Sequence, residues 1–179
     1  MRNSIRAILV TALAGGTAAQ AEVKSANNFR LEVVSSVEIV GDVRTIYSLI
    51  ASPARWWSSE HTCSSDAANL SLDTKAGGCF CEQLPGPRGS AGSVEHARVI
   101  FAEPYKHLRL SEALGPLQAE AVTGTLDIAL YPAGKDARVT ISYVAGDYMR
   151  MRPAQIAPIV NKVLAEQLAR LKRTAEQGD

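Results

Sequence analysis

The heaviest constraint on this chain lies at its C-terminal end. Over residues 154–177, Ile156, Ile159, Val160, Val163, Leu164, Leu168 and Leu171 recur at steps of three and four, which sets them on one stripe of a helix. Asn161, Lys162, Glu166, Arg170, Lys172 and Arg173 fall mostly off that stripe. The preceding sequence reads mainly as short strands. A single amphipathic helix that closes a strand-rich chain must lay its apolar stripe on a sheet. If the sheet is strongly curved, the two surfaces do not meet along their whole length, and a cavity is left between them.

The N-terminal residues stand apart. Arg2 and Arg6 precede a short apolar run, AILVTALA, and small residues lead to Ala19-Gln20-Ala21. This is the pattern of a secretory signal peptide cut after Ala21. Its apolar part is far shorter than the roughly 20 residues that span a bilayer. Glu22 rather than Cys follows the cut, which speaks against a lipid-anchored product. Residues 22–179 then form one domain with one core, expected in the periplasm or outside the cell. Loss of Arg2 and Arg6, with no acid, takes the formal charge from +1 to −1. That leaves no strong field to hold nucleic acid or an anionic membrane. The basic residues Arg170, Lys172 and Arg173 complement the dipole at the end of the last helix.

Phe29, Leu31, Val33, Val37 and Ile39 alternate with Arg30, Glu32, Ser36 and Glu38, as in a half-buried strand. Asp42 is an N-cap for a short helix over Val43–Ile50, and Ser52-Pro53 starts a second over residues 54–58. Strands are expected over residues 69–73, 79–84, 94–102, 107–113, 122–130 and 139–144, with a loop over 85–93. Their alternation and short links argue for an antiparallel sheet with one face on a core.

Three segments carry a family resemblance: Pro53-Ala54-Arg55-Trp56-Trp57, Lys75-Ala76-Gly77-Gly78-Cys79-Phe80-Cys81-Glu82, and Ser93-Val94-Glu95-His96 before Glu103-Pro104. With the element order, they make residues 29–174 resemble the START-like, helix-grip superfamily called SRPBCC. The nearest branch is the activator-of-heat-shock-ATPase-like domains; the leader sets this chain apart from their cytosolic co-chaperone role. The resemblance implies an α+β fold in which a curved sheet of about seven strands wraps the C-terminal helix. It also implies a space that holds lipids, sterols, plant hormones or aromatic polyketides. Some such proteins are enzymes and many only bind.

Candidate chemistry is sparse. In an exported chain, Cys63, Cys79 and Cys81 invite a disulfide. Cys79 and Cys81 share one strand face at i and i+2, poor geometry for joining each other, so Cys63 is expected to pair with one of them. His61 and Cys63 with Cys79 and Cys81 could form a zinc-like donor set, but the spacing departs from the usual pairs and no metal is assigned. Glu82 shares a face with Phe80 and Leu84; on a concave face its pKa would rise, and it could act as a general acid or orient a ligand. His96 is a second candidate proton-transfer group, while its neighbour Glu95 faces the opposite way. His107 is read as structural or exposed, and Tyr143 and Tyr148 as possible hydroxyl donors. Ser90 lacks the first glycine of a nucleophile elbow, and Gly77-Gly78 is a turn rather than a phosphate cradle.

The expected cavity wall is Trp56, Trp57, Phe80, Glu82, Ile128, Leu130, Tyr143, Ile159 and Val163. The sequence thus points to an exported protein that binds an apolar or amphipathic small molecule, without a cofactor. The alternatives are a cyclase- or hydratase-like enzyme using Glu82 or His96, and a protein-interaction module using the sheet edge and the 85–93 loop.

Overall fold

The alternation that begins at residue 30 becomes a strand whose inward side chains, Leu31, Val33, Val37 and Ile39, are almost completely buried. The computed structural model describes residues 19–27, 29–113 and 115–178. The expected signal peptide lies almost wholly outside the described residues. The strands are β1 (Gln20–Ala26), β2 (Arg30–Ile39), β3 (Leu70–Leu72), β4 (Cys79–Pro85), β5 (Ala91–Glu103), β6 (His107–Glu112), β7 (Ala121–Ala133) and β8 (Asp136–Tyr148). They form one curved, unclosed sheet in the order β1-β2-β8-β7-β6-β5-β4-β3, antiparallel throughout. Neighbours in space are neighbours in sequence except at β2 and β8, where Val33 pairs Tyr143 and Val37 pairs Val139. This is an α+β helix-grip fold, with the long helix α2 (Pro153–Gln177) against the sheet.

Several boundaries differ from the sequence expectation. An eighth strand, β1, begins two residues before the expected cleavage point, runs across it and pairs Val23 with Val33. The short helix α1 (Val43–Ile50) forms, and the Asp42 carboxylate accepts from the Arg44 and Thr45 N–H groups. The second helix shrinks to a 3₁₀ turn, Pro53–Arg55, and both tryptophans lie beyond it. The 85–93 loop is mostly hairpin: Pro85 ends β4, Ala91 opens β5, and a 3₁₀ turn at Pro87–Gly89 joins them.

The cysteines correct the expected pairing. Cys79 and Cys81 are joined to each other, and Cys63 is free. The strand is irregular there. The register of β4 against β5 shifts between Phe80 and Cys81, and the Cα atoms of Cys79 and Cys81 lie 5.4 Å apart. That separation falls within the roughly 4.4–6.8 Å a disulfide spans. The four-donor metal set is also dissolved, because two of its sulfurs are in the disulfide.

Helix α2 buries Ile156, Ala157, Val160, Leu164, Leu168 and Leu171, while Ile159 stays 61% exposed. Its polar side chains fasten it. Lys172 Nζ donates to the Glu38 carbonyl at 2.7 Å, and a Glu176 carboxylate oxygen accepts from Val40 N at 3.0 Å. In mid-helix, Gln167 Oε1 accepts from the buried Ser58 N at 2.9 Å, and Arg170 Nε donates to the Trp56 carbonyl at 3.0 Å. The C-terminal half of α2 is thereby clamped. The N-terminal half stands off the far end of the sheet.

Candidate functional site

A cavity of about 300 Å³ opens between the N-terminal half of α2 and the β4–β5 end of the sheet. Ile156, Ile159, Val160, Val163 and Leu164 supply its helix wall, and Phe80 and His96 its sheet wall. Trp57, residues 60–63 and the segment around Pro116 close the sides. Trp57 meets Phe80 edge to face with ring centroids 5.4 Å apart, and Phe80 lies 5.3 Å from the His96 ring. Trp57 is fixed in turn by a 3.1 Å bond from its Nε1 to the His61 carbonyl. Of the wall expected from sequence, Trp57, Phe80, Ile159 and Val163 line this cavity. Trp56, Ile128, Leu130 and Tyr143 are instead core residues, at most 6% exposed, and Glu82, also expected in the wall, is buried outside the lining.

One end of the cavity is polar. Glu82 and Val94 are cross-strand partners, and His96 lies two residues further along β5 on the same inward face. His96 is the extra residue of a β-bulge, since Ala97 pairs Phe80 and Glu95 pairs Cys81. Glu82 is fully buried, yet its carboxylate is well supplied. Oε2 takes His96 Nε2 at 2.7 Å and Cys63 N at 2.9 Å, and Oε1 takes Ser64 N. Burial pushes the Glu82 pKa up, but the hydrogen bonds from Ser64, Cys63 and His96 outweigh it, and the net direction is down. This overturns the expected raised carboxyl. Glu82 is an ionised anchor that orients His96 and the Cys63 loop, not a general acid. Cys63 Sγ completes a cluster in which one donor atom each of Cys63, Glu82 and His96 lies within 4.8 Å of the others. Burial first, and the Glu82 charge second, push the Cys63 thiol up. His61, whose ring meets Glu166 at 3.3 Å, stands beside this end.

Glu112 is an acid the sequence reading passed over. It follows Leu108 and Leu110 on the inward face of β6. Neither carboxyl oxygen has a hydrogen-bond partner among the described residues. Burial pushes its pKa well above the ordinary range, so it is held as a neutral acid. His107 lies elsewhere, bonded to Asp127, which also accepts from Arg109 Nη2 at 3.0 Å. Tyr148 is 65% exposed, outside the cavity lining.

No family model and no curated protein matches the chain. Solved structures do. An uncharacterized protein from Rhizobium leguminosarum superposes with a TM-score of 0.59 at 14% identity, covering 90% of this chain and 99% of that one. CalU16 from Micromonospora echinospora gives 0.55 at 14% identity over 88% of this chain and 83% of its own. The di-domain ARO/CYC StfQ of the steffimycin biosynthetic pathway gives 0.58 at 12% identity; 84% of this chain matches about half, 52%, of that protein. At these identities the likeness establishes a shared helix-grip architecture and leaves the chemistry to each protein's own side chains.

Proposed function

We propose that this chain is an exported binding protein for an apolar or amphipathic small molecule, held between α2 and the sheet. The carrying observation is the cavity of about 300 Å³, walled by Trp57, Phe80 and the aliphatic side chains of α2. Sites of about 300–1,000 Å³ with apolar walls and a few convergent polar groups are the usual form of small-molecule pockets. The occupant's apolar body lies along Ile159 and Val163, and its polar end meets His61, Cys63 and His96. The neighbouring ARO/CYC fold is compatible with such an occupant, and the N-terminal leader pattern supports export.

The test is native mass spectrometry of the purified chain after incubation with a lipid extract, alongside titration with the apolar fluorophore ANS. Retention of a discrete small molecule and saturable ANS binding are expected. Val163→Trp, which fills the cavity, should weaken ANS binding at least tenfold, about 1.4 kcal/mol. Binding unchanged by that substitution would place the probe elsewhere and defeat the reading.

A second reading rests on His96, which lines the cavity and is oriented by an ionised carboxylate. Such a pair suits proton transfer in a cyclase-like reaction. Cyclisation of an aromatic polyketide thioester analogue, followed by chromatography, should then be lost in His96→Gln. Equal turnover in the variant rules this reading out.

A further inference from the structure

We propose that Cys63, Glu82 and His96 form a binding site for a zinc-like divalent transition metal at the polar end of the cavity. The three side chains come from separate places: a loop, β4 and the bulge of β5. They nevertheless present sulfur, oxygen and nitrogen donors within 4.8 Å of one another. A tetrahedral ion with bonds of about 2.0–2.3 Å sets its donors roughly 3.3–3.8 Å apart. The Cys63 sulfur must therefore come in by up to about 1 Å, which its exposed side chain can supply, and Glu82 Oε2 and His96 Nε2, now 2.7 Å apart, must part by roughly 0.6 Å to admit the ion.

The donor set selects the ion. Thiolate, imidazole and carboxylate together suit borderline-soft zinc or cobalt, whereas magnesium and calcium take oxygen cages. The charges balance as well. A thiolate and a carboxylate offset a divalent cation, which makes its placement beside buried apolar groups tolerable. On binding, the Cys63 thiol proton passes to solvent, and the hydrogen that His96 Nε2 gives to Glu82 is exchanged through solvent for one on Nδ1, so that the ion bonds the freed Nε2 and Glu82 Oε2. Glu82 Oε1 continues to accept from Ser64 N, which holds the carboxylate in place from outside the first ring of ligands.

Three protein ligands leave a fourth position open, the arrangement of reactive rather than purely structural zinc sites. Cys63 and His96 both line the cavity, so that position faces it. An oxygen donor on the cavity's occupant, such as a carboxylate or enolate, would complete the coordination. The site itself stands whether or not the cavity holds an organic molecule.

The experiment is a Co²⁺ titration of the reduced full chain under anaerobic conditions, read by absorption and by native mass spectrometry. One cobalt per chain and a near-ultraviolet thiolate-to-cobalt charge-transfer band are expected. A Cys79→Ser/Cys81→Ser double variant, whose sole sulfhydryl is Cys63, should give the same band. Cys63→Ser should abolish it. His96→Gln should weaken cobalt binding by more than the roughly 10–100-fold that outer-shell changes cause. Circular dichroism checks that both variants are folded. No thiolate band in the reduced parent, or a band fully retained in His96→Gln, overturns the site. Val163→Trp, which empties the cavity of ANS, should leave the cobalt band in place, so failure of one reading is distinguishable from failure of the other.

Discussion

Glu82 and Glu112 both point inward from the sheet and both are buried, yet they hold opposite protonation states. Three hydrogen bonds keep Glu82 ionised, and their absence keeps Glu112 neutral. The second case has a measurable consequence. Above the ordinary carboxyl range near 4.5, the unfolded chain ionises while folded Glu112 keeps its proton. Its contribution to stability is full below that pH and declines as pH climbs toward the raised folded value, by up to about 1.4 kcal/mol per unit. Glu112→Gln removes that decline. Urea unfolding at rising pH above the ordinary carboxyl range should show the variant's stability gaining on the parent's until folded Glu112 itself ionises. Parallel pH profiles would mean that Glu112 is ionised in the folded state. At this scale the sequence is partly legible. Period-two alternation puts Glu82 beside Phe80, and the same count applied to Leu108 and Leu110 reaches Glu112. Cys63 has no such signal, because it sits in a loop whose path is set by Glu82 rather than by its own neighbours.

Helix α2 carries an internal weakness where it borders the cavity. Pro158 has no N–H to give the Ala154 carbonyl one turn back, and it is exposed on the solvent side. Nothing in the packing requires the ring. Pro158→Ala restores the bond and should raise stability by about 1–3 kcal/mol, seen as a higher thermal midpoint. No rise in the midpoint would show that the ring is needed for helix packing. The clamped half behaves differently. Leu168 is fully buried, and Leu168→Ala should cost about 2–5 kcal/mol in chemical denaturation. The helix itself was plain in the sequence, because its 3.6-residue stripe runs for many turns. The second short helix was misread, because a Ser-Pro start does not say how far a turn continues. β1 carries little signal in the sequence because its alternation is weak and its first two residues belong to the leader pattern.

Across the whole molecule, the sheet order follows from hairpins except for one link. The union of β2 with β8 brings the two ends of the domain together, and no local pattern announces it. The cavity follows from that union: α2 is fixed over β1 and β2, and the β4–β5 end is left uncovered by its clamped half. An occupant should therefore stabilise the entire fold by mass action, about 2.7 kcal/mol at a concentration of 100 Kd. The urea midpoint of the parent should rise with ANS or a co-purified molecule, and that of Val163→Trp should not. A parent midpoint that ignores a bound molecule would place its binding outside the folded core.

The bulge in β5 also sets how easily the hollow changes character. Counting back by twos from Val99 and Ala97 reaches Glu95; only the surplus residue lets His96 face inward as well. Excising Glu95 leaves a lone position between Val94 and Ala97, opposite Cys81, and the imidazole swings to the convex side. A single-codon deletion thus withdraws the imidazole from the hollow and leaves its other polar groups, His61 and Cys63 among them, with every other rung of the ladder unchanged.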